Sequence, residues 1–387
     1  MATTYKTFSN NDIVSTKTLL NEAIPLTGTV ISGTYMEGTS EVNIKNYAHG
    51  MFQSVYDYPY LSSSANHIFD ITMGYSANSD LSASTSTQNA KKINIYNQMA
   101  KVLVGHSSSG VIQEFDEDGD LTGGTKLREC FFINMARLLT KDEIKKGSFS
   151  LELGVAPGLS ASFHRRIKLT DYNAQNDYRV NSPAGDYAVL YAETSYDGDG
   201  SSTFVHGPGT SGGTERVKAG LLYYQAGVAV LTASVFDHHS ASSDGSTAGG
   251  GGILGDDIAA SASVHMGPEI GQLFYVNQML TGSEISSSCT ALRSRMYNMS
   301  FNNTTELNST IYFCRLNHNE FNYSSNPTYL NSSKIRVKNV AGDTPVAYVT
   351  GVGLYSSDNE LMAVAKLSEP LKKDPTNELT LRVRLDY

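Results

Sequence analysis

The chain has 387 residues, with 29 Lys and Arg against 38 Asp and Glu, a formal net charge of −9, and only 17% of its residues charged. Ser, Thr, Asn, 34 Gly and 23 Tyr take the place of charge, and there is no Trp. A grip on nucleic acid or anionic lipid needs clustered Lys and Arg; Arg165-Arg166-Lys168 and Lys372-Lys373 are too small to supply one, so neither is expected as a principal partner.

The opening MATTYKTFSNNDI has no charged stretch followed by an apolar one and does not read as a secretory signal. Residues 1–45, turn-rich around Ile24-Pro25 and Gly28, are expected to form an N-terminal arm or extended segment, with a helix over Asn10–Glu22 as the alternative. Ser62–Ala65 and Ser76–Gln88 have loop composition. A helix is predicted from Lys91 to Val104, where Ile95, Met99 and Val102 share a face beside Tyr96 and Leu103 and Gly105 supplies the stop. Strand alternation marks Phe149–Val155 and Tyr187–Ala192.

Ala219–Phe236 has eighteen residues without a charge, the lower limit for a membrane helix. Gln225, two glycines, Thr232 and Ser234 interrupt it, and two buried strands joined at Gln225-Ala226-Gly227 explain the run better, so no membrane span is expected. Asp197–Gly213 and Ser240–Gly255 read as long Gly/Ser loops, and Ser283–Met296 as a second helix. Thr310–Arg315 and Lys334–Val340 read as strands. The last forty residues alternate most cleanly, as a three-stranded antiparallel meander: Val346–Leu354, the turn Ser356–Asn359, Leu361–Leu367, the connection Pro370–Thr376, then Leu379–Leu385.

The expected fold is mainly β (α+β), with antiparallel sheets or sandwich-like domains, a few helices and long Gly/Ser/Asn loops. Residues 46–300 would form a large β-rich body with helical insertions, and 301–387 a C-terminal antiparallel β region.

Motifs for chemistry are weak. Gly207, Gly209 and Gly212 satisfy G-x-G-x-x-G, but no helix follows to meet a pyrophosphate. Asp116, Asp118 and Asp120 have the opening spacing of a calcium loop, yet Leu121 stands where that loop needs Gly and Leu127 where it needs an acid. An acidic hairpin turn explains the run better, with a weak structural cation as the alternative. His238-His239, with Asp237 and Asp244 nearby, would project in opposite directions from a strand and cannot share one ion. Cys130, Cys289 and Cys314 form no disulfide framework and suit a reducing compartment; Cys130 and Cys314 look like small core residues. No nucleophile elbow, P-loop or H-E-x-x-H occurs, so no catalytic residue, cofactor or metal is assigned. Six N-x-S/T sequons between Asn298 and Ser333 follow from Asn/Ser/Thr richness, and no glycan is expected on them.

Longer segments carry more. Thr16–Tyr35 (TKTLLNEAIPLTGTVISGTY), Asn46–Asp70 (NYAHGMFQSVYDYPYLSSSANHIFD), Glu129–Gly154 (ECFFINMARLLTKDEIKKGSFSLELG), Leu221–Phe236, Asn308–Asn339 and Tyr348–Tyr387 resemble virion structural proteins of tailed phages infecting marine bacteria, cyanophages especially. The resemblance spans most of the chain, with the Gly/Ser loops as its variable parts. It implies a non-enzymatic structural role in the virion, assembly in the host bacterial cytoplasm, and no catalytic residues. A tail position (baseplate, neck or fibre attachment) is the expectation, as a homo-oligomer in a symmetric ring touching other virion proteins. A capsid-associated decoration protein and a receptor-binding adhesin for a host-surface glycan are the alternatives. The expected contact residues are Tyr56, Tyr58, Tyr60, Phe321, Tyr323 and Tyr329, tyrosine-rich clusters flanked by Asn, Ser and Pro.

Overall fold

The computed structural model describes residues 5–27, 36–37, 40–139, 143–155, 166–196, 202–204, 216–236, 276–323, 330–331, 334–335, 342 and 345–387. They form two compact units: a body, Asn21–Thr305, and a smaller unit made from Met1–Leu20 with Glu306–Tyr387. The fold is mainly β and antiparallel with few helices, as the alternation requires.

Eleven strands follow one another across the main sheet. In chain order they are β1 (Ile13–Thr27), β2 (Ile44–Asn46), β3 (Gln53–Tyr56), β4 (His67–Tyr75), β5 (Glu129–Asn134), β6 (Ser150–Gly154), β7 (Arg166–Thr170), β8 (Tyr187–Tyr196), β9 (Val217–Tyr223), β10 (Val228–Thr232) and β11 (Met296–Leu316). Their spatial order is β1-β11-β6-β7-β8-β9-β10-β5-β4-β3-β2. The uncharged run at Ala219–Phe236 is the centre of this sheet. It makes two adjacent strands joined through Gln225-Ala226-Gly227, with Gly220 opposite Leu231 and Tyr223 opposite Val228. Every residue of β10 is buried, which is why the strand is apolar throughout instead of alternating. No described helix is long and apolar enough to cross a membrane.

One short helix and the residues after it bond to strands from opposite halves of this path. Gln53 of β3 donates from Nε2 to Thr290 Oγ1 at 3.0 Å and accepts from Arg293 Nε at 3.3 Å, both on helix α3 (Ile285–Arg293). Three residues beyond Arg293, β11 begins, and buried Arg295 donates to Gly154 O at the end of β6 at 3.0 Å. One short helix, with the residues after it, thus ties strands that lie far apart along the path. Its Cys289 is fully buried and donates to Ile71 O on β4 at 3.3 Å.

Helix α1 (Asn89–Leu103) packs on β4, where Gly74 permits the contact: a Cβ there would lie 2.6 Å from Lys92 O and 2.8 Å from Tyr96 N. The predicted helix exists, but its buried face is Lys92, Ile95, Tyr96, Ala100 and Leu103, and Val102 is 60% exposed. The face turns toward two polar side chains that have buried partners. Tyr96 Oη donates to Leu127 O at 2.7 Å, and Lys92 Nζ donates to Leu280 O at 2.6 Å and to Gly282 O. These carbonyls lie at the C-terminal end of helix α2 (Val276–Thr281), where a cation satisfies groups that the helix leaves unpaired. Burial lowers the Lys92 ammonium to about 8.

In the smaller unit, β11 continues to Leu316 with β1 beside it, so Asn10–Glu22 is not the alternative helix. A short turn at Asn10–Asp12 leads into the strand, whose β-branched Ile13, Val14, Thr16 and Thr18 favour extended backbone. Strands β12 (Ala347–Tyr355) and β13 (Leu361–Lys373) form the expected hairpin as a separate two-stranded sheet. The predicted three-stranded meander is corrected: β14 (Leu379–Asp386) pairs with β11, from Ser309 opposite Asp386 to Leu316 opposite Leu379. Leu379, Leu381, Val383 and Leu385 there face Leu316, Cys314, Tyr312 and Thr310. Pro370 is not in a connection but inside β13, where residues 367–370 bulge between the pairs Val349/Leu371 and Gly351/Lys366. A proline has no N–H to give a ladder, so the strand bulges around it.

Candidate interaction surface

The two units differ sharply in burial. The body has a continuous apolar core from Val55 to Phe301. In the smaller unit, the buried hydrophobic residues among those described are Leu316, Val346, Ala347 and Leu354. Its hairpin instead shows apolar side chains to solvent, with Met362 71% and Val364 59% exposed, and Tyr348, Tyr355 and Leu361 also exposed. An isolated two-stranded hairpin is marginal in water, and this one has little of its own surface covered.

Charge divides along the same line. The smaller unit carries eleven basic and ten acidic residues, a net +1, and the body eighteen and twenty-eight, a net −10.

The arm Tyr5–Leu20 has no buried side chain. It is held by its place beside β11, by ion pairs of Lys6 with Glu320 and Lys17 with Glu306, and by Arg315 Nε donating to Asp12 Oδ1 at 2.6 Å. Ser15 Oγ and Thr310 Oγ1 lie 3.3 Å apart, and rings meet at Phe8–Tyr312 (5.4 Å) and Tyr5–Tyr355 (4.6 Å). The Ser9 hydroxyl, at 2.6 Å, and the Arg315 guanidinium draw the Asp12 carboxyl down to about 2. Between arm, β11 and β12 lies a cavity of about 510 Å³, walled by Tyr5, Phe8, Phe313, Phe321 and Tyr355, with Asp12 and Arg315 at its polar side. Among the described residues, the β12 edge facing away from β13 has no strand beside it.

Phe321 reaches this cavity on a built turn. Glu320 N donates to Asn317 O at 3.1 Å, and Asn322 Nδ2 donates to His318 O at 2.9 Å. Buried Lys373 holds the turn from below, donating to Asn322 Oδ1 at 2.7 Å, Asp374 O at 2.9 Å and His318 O at 3.3 Å. Phe321 takes φ +54°, rare for a bulky side chain, and stands 48% exposed, with Tyr323 57% exposed beside it in sequence. A strained backbone that keeps an aromatic ring in solvent is maintained by surroundings that over-determine it.

The other expected contact residues lie in the body. Tyr56 ends β3, and its ring meets those of Tyr60 (6.2 Å) and His67 (5.3 Å); Tyr58 and Tyr60 are exposed. Asp57 fixes this loop by accepting from Asn66 N at 2.6 Å and Asn66 Nδ2 at 2.8 Å. Tyr329 lies outside the described residues, as do Gly207, Gly209, Gly212 and the Asp237–Asp244 stretch with His238-His239. Sequence reasoning did not single out Tyr5, Phe8, Tyr355 or the hairpin residues Met362 and Val364. The available signal was the start of β13, where Leu361–Ala365 are five consecutive apolar residues, so that both faces of the strand are apolar and one covered face cannot account for them.

Asp116, Asp118 and Asp120 bring carboxylate oxygens within 4.8 Å of one another. The loop is tied by its own side chains: Asp116, Asp118 and Asp120 accept from the backbone N–H two residues on, at 3.2, 3.2 and 2.7 Å. Leu121 adopts φ +65°, and fully buried Asp116 pairs with Lys126 across the short ladder Phe115–Asp116/Lys126–Leu127. Burial raises the Asp116 carboxyl, and the hydrogen bond from Lys126 opposes that rise. Cys130 and Cys289 are buried free thiols, Cys130 raised well above its ordinary range by burial, and Cys314 is partly buried.

No protein-family model, curated protein or solved structure matches this chain.

Proposed function

We propose that the chain is a non-enzymatic structural component of a tailed-phage virion, associated with the tail at the baseplate, neck or fibre attachment, and acting through homo- and hetero-oligomeric assembly. The observation that carries this reading is the smaller unit: a near-neutral β layer with four buried hydrophobic residues and an apolar hairpin left in solvent. Large exposed apolar surface marks an interaction site, and aromatic-rich patches suit protein partners. The segment resemblance to phage virion proteins supplies the particle.

The test has two parts. Val364→Asp, on an exposed strand, costs the isolated chain within about 0.5 kcal/mol, but a carboxylate in a covered interface costs several-fold more, so assembly is lost while the melting temperature holds. Sedimentation that leaves the oligomer intact overturns the reading of this face. Mass spectrometry of separated particles should then find the chain in tails; recovery from heads alone favours a decoration protein instead. The cavity beneath Tyr5, Tyr355 and Phe321, with Asp12 and Arg315 at its edge, favours a second reading, an adhesin for a surface glycan. That reading requires purified protein to bind host cells, and failure to bind them or to block infection removes it.

A further inference from the structure

We propose that in the oligomer the N-terminal arm, Tyr5–Leu20, seats on strand β11 of a neighbouring copy, so that subunits are joined by exchanged arms. This rests on the assembly reading above and names its contact. The arm has no buried side chain, so lifting it from its own chain uncovers no core. Its ion pairs lie on partly exposed side chains, where each holds little.

The seat is nevertheless specific. Lys6, Asp12 and Lys17 meet Glu320, Arg315 and Glu306 in antiparallel order, a basic-acidic-basic series against an acidic-basic-acidic one. That series fixes one register, and a second copy of this chain carries the same complement. Exchange then keeps every contact of the closed chain and adds only the approach of two near-neutral units, whereas the −10 bodies repel each other.

Cysteines at the adjacent Ser15 and Thr310 test the exchange. Chains bearing Ser15→Cys alone and Thr310→Cys alone, both with Cys314→Ser, are co-assembled and oxidised. Only arm exchange joins them, so a covalent dimer that dithiothreitol dissolves is expected on a denaturing gel. The doubly substituted chain should give linked dimers or a ladder in place of an internally closed monomer. An intact oligomer in which the double variant closes only within single chains overturns the proposal. If neither sample links, removal of residues 1–20 decides: exchange requires the oligomer to fall to monomers, and an unchanged oligomer rejects it. A wild-type chain that is monomeric at every concentration refutes the assembly reading instead, a result distinct from internal closure.

Discussion

Lys373→Met probes how the smaller unit presents its aromatic residues. Methionine keeps the length and apolar stem of lysine in a site with no solvent exposure, so packing changes little while three donated hydrogen bonds disappear. His318 O retains Asn322 Nδ2 as a donor at 2.9 Å, but Asn322 Oδ1 and Asp374 O lose their lysine. Each buried acceptor left without a partner costs about 1–3 kcal/mol, and removing a buried ammonium returns part of that, for a net loss of about 2–3 kcal/mol. The loss falls on the Asn317–Tyr323 turn that holds Phe321 at positive φ. Hydrogen exchange followed by mass spectrometry should show amides of that turn exchanging roughly 30–100-fold faster, since about 1.4 kcal/mol is a factor of ten. The chain has no Trp, so Tyr323→Trp adds a single indole whose emission, excited beyond the tyrosine absorption, reports on the same turn. Unchanged exchange at Asn317–Tyr323, with or without a lower melting temperature elsewhere, would refute the view that Lys373 holds this turn.

Three further outcomes are expected. Asp12, held at about 2 against an ordinary 3.8, stabilises arm attachment above pH 4 and loses that contribution as pH falls toward 2; pepsin should clip the arm increasingly over that window, and Asp12→Asn should weaken the pH dependence, leaving the part carried by Glu320, which Lys6 also holds below its ordinary range. Lys126→Met leaves the fully buried Asp116 carboxylate without its cation and should cost about 3 kcal/mol at pH 7 in urea unfolding. That deficit should shrink as pH falls, because a carboxyl raised by burial takes up a proton and sheds its unpaired charge; a constant deficit would assign the loss to packing. Gly220→Ala places a Cβ 2.0 Å from Val230 O across the central β9–β10 ladder, and should cost about 4 kcal/mol or more, read as insoluble expression or a large fall in melting temperature.

Local pattern revealed elements well and partners poorly. The uncharged Ala219–Phe236 run gave two strands because its turn residues and small side chains leave no continuous helical face. The helix at Asn89–Leu103 was visible through its period, but its orientation depended on Lys92 reaching carbonyls 188 and 190 residues away, which no local window contains. The C-terminal strands were legible, yet β14 joins β11 instead of β13, a choice made by long-range pairing of Leu379–Leu385 with Thr310–Leu316. Clusters of Tyr and Phe could be read as surface candidates, and Tyr58, Tyr60, Phe321 and Tyr323 are exposed. The positive φ at Phe321 could not be read, because the turn that carries it is tied through Asn322 to Lys373, some fifty residues on.

Alternation in a strand states that one face is apolar; it does not state what covers that face. In the body the covering is present, in α1, α3 and the continuous apolar core that they join. In the smaller unit the alternation along β14 and the apolar run Leu361–Ala365 of β13 leave the apolar residues exposed or half-buried. Two independent properties meet there: accessible surface shows too little burial, and residue counts within the same boundaries show almost no net charge. Either alone has an ordinary explanation, since small β layers bury little and composition fluctuates. Together they favour a covering of the same composition. On the assembly proposed above, copies of a chain whose body carries −10 meet at least electrostatic cost where charge is balanced, and the balanced region is also the one with few buried hydrophobic residues among those described. A balanced net charge and an exposed apolar hairpin therefore coincide in one unit, residues 1–20 and 306–387, although its share of charged residues is no lower than the body's.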